Sequence, residues 1–184
     1  MALQPAKRFC AGRDALPAAP PGWGDFETVM AQALAMARQA GRAGETPIGA
    51  VVLGPDGALW GQAGNAVIGR CDPTAHAEIL ALREAAARVG NYRLTGATLA
   101  VTLEPCLMCL GAMIHARIGM LVYGAPDPKA GAVASRLPGP DLPFFNHRFA
   151  VVSEVAAGPC RRLLQDFFRS RRDRGRDAPR RPFG

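Results

Sequence analysis

Two short motifs with the spacing of metal ligands constrain this chain more than any other feature of its sequence. The first is His76-Ala77-Glu78, and the second is a Cys106-x-x-Cys109 pair that directly follows a proline. One imidazole and two thiolates can hold a zinc ion and leave its fourth tetrahedral position open, which is the arrangement of catalytic zinc. The fold must therefore bring two distant segments together around one ion.

The spacing within each motif predicts how the side chains are presented. Cys106 and Cys109 are three residues apart, so on a helix they share a face and both sulfurs can reach one ion. Residues two apart do not share a face, so His76 and Glu78 can converge only if His76 lies at the tip of a helix. We predict one Zn²⁺ per subunit, held by His76, Cys106 and Cys109, with Glu78 as the catalytic residue that moves protons beside it.

Two other interpretations of these residues remain open at this stage. A Cys-x-x-Cys pair is also typical of a redox-active dithiol or of two buried core cysteines. Cys71, His115 or His147 could supply a fourth ligand. A site closed in that way would be structural, and the chain would then be a zinc-stabilised binding module without catalysis.

Length and composition set broader limits. A chain of 184 residues with 49% hydrophobic residues is long enough for one domain with a substantial core. No apolar run approaches the roughly 18 residues needed to cross a bilayer, and prolines and charges interrupt the N-terminal segment where a secretory signal would lie. We therefore expect a cytoplasmic protein with no membrane partner, and the odd count of 5 cysteines argues against a disulfide framework.

Positive charge is concentrated at the C-terminus. Of the formal net charge of +7, nine arginines and three aspartates place +6 within residues 161–184. Such asymmetry is typical of an arm that meets nucleic acid, although a solvated helix end has the same composition. Phe167 and Phe168 are predicted to pack the last helix into the core, with base stacking as the alternative.

Periodicity and turn signals predict alternating helices and strands, which is typical of an α/β sandwich. Residues 1–24, rich in Pro, Ala and Gly, are predicted to be a disordered extension. The predicted helices cover residues 25–42, 75–89, a segment starting near 106, and a C-terminal segment starting near 159. The predicted strands cover residues 48–53, 58–65, 97–102, 117–123 and 149–155, with 125–145 irregular.

The segments around the two motifs resemble the bacterial tRNA-specific adenosine deaminases. The resemblance rests on residues 72–78, 91–94, 102–118, 146–148 and 166–169, and extends over about residues 25–172. Its motifs are specific as a set, because the flanking residues match as well as the ligands. The chain departs from the common pattern at Ala66-Val67-Ile68, near Pro126, and in the segment before Asn146.

The resemblance implies a cytidine-deaminase-like three-layer α/β/α sandwich around a central mixed five-stranded sheet. It implies a deaminase domain at 25–172, between the extension at 1–24 and an Arg-rich tail at 173–184. By the same resemblance the enzyme is a homodimer that converts adenosine to inosine at the wobble position of an arginine tRNA, bound through its anticodon stem-loop. The substrate-binding residues that it implies are Asn65, Ala77, Ile48 and Leu103.

Identical zinc machinery serves deaminases of free bases and nucleosides. The alternative function is therefore deamination of guanine or cytosine. The choice between the two rests on the flanking match and on the basic tail.

Overall fold

A computed structural model describes residues 8–9 and 17–177. Among these residues the strands and α-helices are, in chain order, β1 (Arg8–Phe9), α1 (Phe26–Arg42), β2 (Gly49–Leu53), β3 (Leu59–Gly64), α2 (Val67–Arg70), α3 (Ala77–Val89), β4 (Thr98–Leu103), α4 (Leu107–Ala116), β5 (Met120–Ala125), β6 (Ala150–Val152) and α5 (Ala157–Asp177), with a 3-10 helix at Gly139–Asp141 between β5 and β6.

The strands form one mixed sheet in the order β1-β6-β5-β4-β2-β3. The hairpin β2–β3 and the pair β2–β4 are antiparallel, whereas β4, β5 and β6 run parallel. The predicted mixed sheet of five strands is thus confirmed. The two-residue strand β1 adds to its edge by antiparallel pairing with β6.

Helices cover both faces of the sheet, as the three-layer prediction requires. Side chains of β2 alternate between the two faces, as a pleated strand dictates: Ala50 and Val52 face the core under α3 and α4, whereas Val51 and Leu53 face the core under α1 and α5. The first core includes Met113 and Leu82, both buried. The sheet is therefore held between two apolar cores, one on each face. The same packing fixes the positions of the helices relative to the strands.

Several predicted boundaries shift for local backbone reasons. The helix predicted from residue 75 starts at Ala77 instead, because His76 keeps an extended backbone with ψ 150°. The strand predicted from 117 starts at Met120, because Arg117 ends α4 in the left-handed conformation with φ 57°. The last strand stops at Val152, and Glu154 then turns the chain with φ 61°.

The N-terminal extension and the last helix differ from the simplest expectation. Within the segment predicted as disordered, Arg8–Phe9 forms a strand and Trp23 donates a hydrogen bond to the Gly57 carbonyl at 2.8 Å; residues 1–7 and 10–16 lie outside the described part. The prediction that both phenylalanines of the last helix pack into the core is wrong for Phe168, which is 46% exposed, whereas Phe167 is half-buried. In the described part of the chain, no helix is long and apolar enough to cross a membrane.

Candidate active site

The two zinc motifs meet at the N-terminal ends of two neighbouring helices. His76 is the N-cap of α3, and Cys106 is the N-cap of α4, both with extended backbones and without a capping side-chain hydrogen bond. Because helix N-termini carry unpaired N–H groups and partial positive charge, they favour thiolates. The predicted position of His76 at a helix tip is confirmed.

The separations of the three ligand atoms match a tetrahedral zinc site. The Sγ atoms of Cys106 and Cys109 are 3.7 Å apart, and the Nδ1 atom of His76 lies 3.7 Å from the first and 3.5 Å from the second. A tetrahedron with zinc–sulfur bonds of about 2.3 Å and zinc–nitrogen bonds of about 2.1 Å has edges of about 3.8 Å and about 3.6 Å. The residues present therefore fit zinc without rearrangement.

The alternative of a closed structural site is not supported by the described residues. Among them, the candidate metal-binding cluster contains only His76, Cys106 and Cys109. Cys71 is exposed, and His147 is engaged with the Ile118 carbonyl at 2.7 Å. Three ligands of this kind leave a coordination position open.

The electrostatics of the cluster suit metal binding and proton transfer. The hydrogen bond between the two thiols is the main cause that lowers the pKa of Cys106 to about 5, and the same bond, together with burial, raises the pKa of Cys109. One thiolate is thus available at neutral pH, and the second thiol would lose its proton when zinc binds. Glu78 is 4% exposed, and its carboxyl group also interacts with the Cys109 thiol. Burial is the largest influence on Glu78 and raises the pKa of its carboxyl group, which suits a group that takes up and releases a proton.

The loop after β3 brings Asn65 next to the metal motifs. The backbone N–H of Asn65 donates to the Ile48 carbonyl at 2.9 Å, and Ala66 donates to the Ala75 carbonyl, one residue before His76. The Oδ1 atom of Asn65 is buried without a hydrogen-bond partner, which is costly unless a ligand supplies a donor. Its position fits a substrate-binding role, although that role stays a prediction.

The other three predicted substrate-binding residues lie in different surroundings. Ala77 is the first residue of α3, so its N–H has no acceptor within the helix. Ile48 is half-buried against the core under α3 and α4, whereas Leu103 packs towards the core under α1 and α5. Their roles in substrate binding also remain predictions.

Two buried carboxylates near the site were not found by sequence reasoning. Glu45, 5% exposed, accepts hydrogen bonds from the backbone N–H groups of Ile68 and Gly69 in α2, at 3.2 and 2.7 Å. Glu104, 2% exposed, precedes the zinc-ligand turn and accepts a series of hydrogen bonds from residues 127–135. Because their partners are mostly backbone N–H groups, no residue type in the partner segments indicates the contact.

Hydrogen bonding keeps Glu104 ionised despite its burial. Burial raises the pKa of its carboxyl group, but the bonds from Ser135, Ala134 and Asp127 together outweigh it and hold the pKa below its usual value. Glu104 is thus a fixed negative charge, two residues before the ligand Cys106.

Comparisons with known proteins agree with the geometry of the site. A family model described as the cytidine and deoxycytidylate deaminase zinc-binding region matches residues 25–125. A tRNA-specific adenosine deaminase from Haemophilus influenzae is 47% identical over 147 residues, which cover 80% of this chain and 85% of the relative.

Three solved structures bear on the choice of substrate. One is from work on A-to-I editing by tRNA:A34 deaminases at the wobble position; it is 45% identical, with a TM-score of 0.72, and the match covers 74% of this chain and 98% of that one. Another is a guanine deaminase from Bacillus subtilis, 40% identical with a TM-score of 0.53, but the match covers only 55% of this chain and 65% of that one. A guanine deaminase from Nitrosomonas europaea is matched over 85% of this chain and 88% of its own, but it is only 25% identical, with a TM-score of 0.64. Sequence identity and TM-score together, and not coverage of this chain, therefore favour the tRNA:A34 deaminase.

Proposed function

Because the chain belongs to the zinc-binding cytidine and deoxycytidylate deaminase family, we propose that it deaminates adenosine to inosine in tRNA, at the wobble position of an arginine anticodon. The observation that carries this proposal is the three-ligand cluster with Glu78 beside it, in a chain whose similarity to tRNA-specific adenosine deaminases extends over most of its length. Zinc, when bound there, would lower the pKa of a water molecule so that hydroxide is available as the nucleophile at neutral pH.

The residues around the cluster have separate roles in proton transfer and in substrate binding. Glu78 takes a proton from the attacking water and delivers it to the leaving amino group, so that water is consumed and ammonia is released. Asn65 offers the unpaired Oδ1 atom to a hydrogen-bond donor of the nucleoside, and the N–H of Ala77 donates to the base. Ile48 and Leu103 form apolar walls of the pocket that receives the base.

An RNA loop is the natural source of the target base. The adenine must leave its stack to reach the buried carboxyl group of Glu78, and loops are where bases are most easily splayed out. A groove of about 600 Å³ between the loop after β5 and α5 is lined by Lys129, Arg169, Arg172 and the exposed Phe168. We assign this cationic groove to the anticodon stem-loop, and the Arg-rich tail at 173–184 to the same RNA.

A second copy of the chain completes the enzyme. An apolar groove of about 430 Å³ lies between α3 and α4, lined by Ile79, Leu82, Met108 and Ala112 among others, and Leu107 beside it is 57% exposed. Because these are the helices that carry the zinc ligands, a partner subunit here would border the substrate site. Analytical ultracentrifugation should give a dimer, and Leu107→Asp should shift it towards monomer; a wild-type monomer would contradict this part.

The remaining assignments follow from the same proposal. Residues 25–172 form the deaminase domain, with an extension at 1–24 and a tail at 173–184. An enzyme that acts on tRNA in this way is expected in the cytoplasm.

One experiment separates the proposed function from its alternative. The purified zinc-loaded protein is incubated with an anticodon stem-loop carrying adenosine at the wobble position, and conversion is detected as an A-to-G change on sequencing. A stem-loop with the same adenosine moved into the stem serves as control, and free guanine and cytosine are tested for ammonia release. Ammonia from a free base without conversion of the stem-loop would overturn the proposal in favour of the alternative.

A further inference from the structure

The Glu104 carboxylate organises the segment after β5. Its Oε1 atom accepts hydrogen bonds from the backbone N–H groups of Val133, Ala134 and Ser135 at 3.1, 2.8 and 2.9 Å. Its Oε2 atom accepts from the backbone N–H of Asp127 at 3.0 Å and from the Ser135 hydroxyl group. One buried charge thus receives five hydrogen bonds from both ends of one loop.

The loop is folded closely around this carboxylate. A Cβ atom on Gly131 would collide with the Glu104 carboxyl group and with the Asp127 carbonyl. The N–H of Ala132 donates to the Pro105 carbonyl at 2.8 Å, so the backbone on the other side of Glu104 is also tied to the loop. Residues 127–135, which we call the Glu104 loop, are therefore bonded to the zinc-ligand turn from both ends and at Ala132.

The Glu104 loop connects two regions that must act on one substrate. Its inner side is bonded to Glu104 and Pro105, immediately before the ligand Cys106. Its outer side carries the exposed Lys129, which lines the cationic groove together with Arg169 and Arg172 of α5. The bonds to Glu104 therefore tie the Lys129 side of the groove to the segment that carries Cys106.

We propose that Glu104 is a positioning residue, which holds Lys129 in register with the zinc centre so that RNA bound in the groove presents its base to the site. This inference rests on the proposed function. Glu104 does not touch the substrate; it acts through the Glu104 loop. A chain of bonded groups with one arrangement is a physical basis for such coupling between two sites.

A double-mutant cycle tests whether Glu104 acts through Lys129. In Glu104→Gln the amide can accept at one oxygen only, and its NH₂ group faces donors, so the loop is released. We measure the Kd of the zinc-loaded protein for a stem-loop carrying inosine, the reaction product, at the wobble position. We expect Glu104→Gln and Lys129→Ala each to raise Kd about fivefold, with the double variant no weaker than either single variant.

Two further measurements separate positioning from a purely structural role. Zinc content should stay at about one per chain in Glu104→Gln, and single-turnover conversion at saturating RNA should also fall, because the bound RNA no longer presents its base in register with the zinc ligands. Glu84→Gln is the matched control, because its carboxylate accepts the backbone N–H of Gln62 at the opposite edge of the sheet, and it should leave Kd unchanged. If Glu104→Gln does not fold, Ser135→Ala removes one of the five donors and is put through the same cycle with Lys129→Ala.

The outcomes are distinguishable from failure of the proposed function. Wild-type protein that neither binds nor converts the stem-loop would overturn the proposed function, and this inference with it. Wild-type conversion with an unchanged Kd in Glu104→Gln would overturn this inference alone. So would effects of the two substitutions that simply multiply, since Lys129 would then act independently of Glu104.

Discussion

Two buried glutamates flank the zinc ligands and are held in opposite ways. Glu78 follows His76 by two residues and Glu104 precedes Cys106 by two residues, and they are 4% and 2% exposed. Burial dominates the environment of Glu78 and raises the pKa of its carboxyl group. Glu104 is equally buried, but hydrogen bonds from the loop hold its pKa below the usual value.

The difference shows how similar burial can serve chemistry in one place and structure in another. A carboxyl group with few donors changes protonation state readily, which a proton carrier needs. A carboxylate with five donors stays charged and fixes the backbone around it. The comparison predicts that replacing Glu78 harms activity and spares stability, whereas replacing Glu104 lowers stability first.

The largest effect is expected for Glu78→Gln. Without a group that can accept the proton, turnover of the wobble-adenosine stem-loop should fall by about 1000-fold. Because the amide carries no charge to desolvate, the free energy of unfolding of the zinc-loaded protein should be unchanged or higher. Steady-state kinetics, zinc analysis and urea unfolding check the two halves; normal turnover would remove Glu78 from the mechanism.

Glu104→Gln should reverse this pattern. Losing a charged acceptor for several backbone N–H groups should lower the free energy of unfolding by about 2–3 kcal/mol. Urea unfolding of the zinc-loaded protein measures it, with Glu84→Gln as the variant that loses only a single exposed bond. Equal stability of the two variants would contradict the structural half of the comparison.

Gly131→Ala should act on Glu104 without changing the carboxylate itself. The added methyl group would press against the Glu104 carboxyl group, so the loop must shift, at a cost of about 1–2 kcal/mol in the free energy of unfolding. Gly24→Ala is the control, because no atom lies within 4 Å of the position its Cβ would take. A Gly131 variant as stable as the control would mean that the loop yields without cost.

The smallest effect is expected for a partly exposed carboxylate that accepts two hydrogen bonds from a single residue. Asp72 accepts hydrogen bonds from the N–H and hydroxyl groups of Thr74 at 2.8 and 2.7 Å, in the turn that leads to His76. The Thr74 hydroxyl is the main cause that lowers the pKa of Asp72 below its ordinary value of 3.8. Asp72→Asn should therefore lower the melting temperature only slightly at neutral pH.

The difference in melting temperature between wild type and Asp72→Asn should depend on pH in a defined direction. Because the folded-state pKa of Asp72 is the lower one, its stabilisation is complete above pH 3.8 and is lost as the pH falls through the folded-state value. Melting temperatures of wild type and Asp72→Asn should therefore converge only below pH 3.8. A gap that widens on acidification would show that Asp72 is stabilised in its protonated form.

The sequence predicted the parts of this molecule that depend on residue type. Ligand chemistry identified His76, Cys106 and Cys109, and helical spacing placed His76 at a helix tip; both predictions are confirmed. Short apolar runs next to turn signals predicted the central strands of the sheet, which are buried on both faces. These features follow from properties that each residue carries wherever it lies.

The parts that were missed depend on contacts between distant backbone atoms. Glu104 bonds to N–H groups about 30 residues away, which every non-proline residue offers, so its role has no sequence signature. The short helix α2 is anchored by Glu45 in the same way. Phe168 fits the apolar pattern of the last helix, but the described part of the chain provides no layer beyond α5 to cover it.

The lengths of α3 and β4 are matched, and this match brings the two metal motifs together. The chain leaves His76 along 13 helical residues, about 20 Å, and returns to Cys106 along 6 strand residues, again about 20 Å. The ligands meet because the outward and return paths are equal. An insertion of four residues in α3, about one helical turn, would lengthen the helix by about 6 Å. About two extra residues in β4 would be needed to bring Cys106 back to His76. The segment between the two motifs can therefore change in length only if the helix and the strand change together.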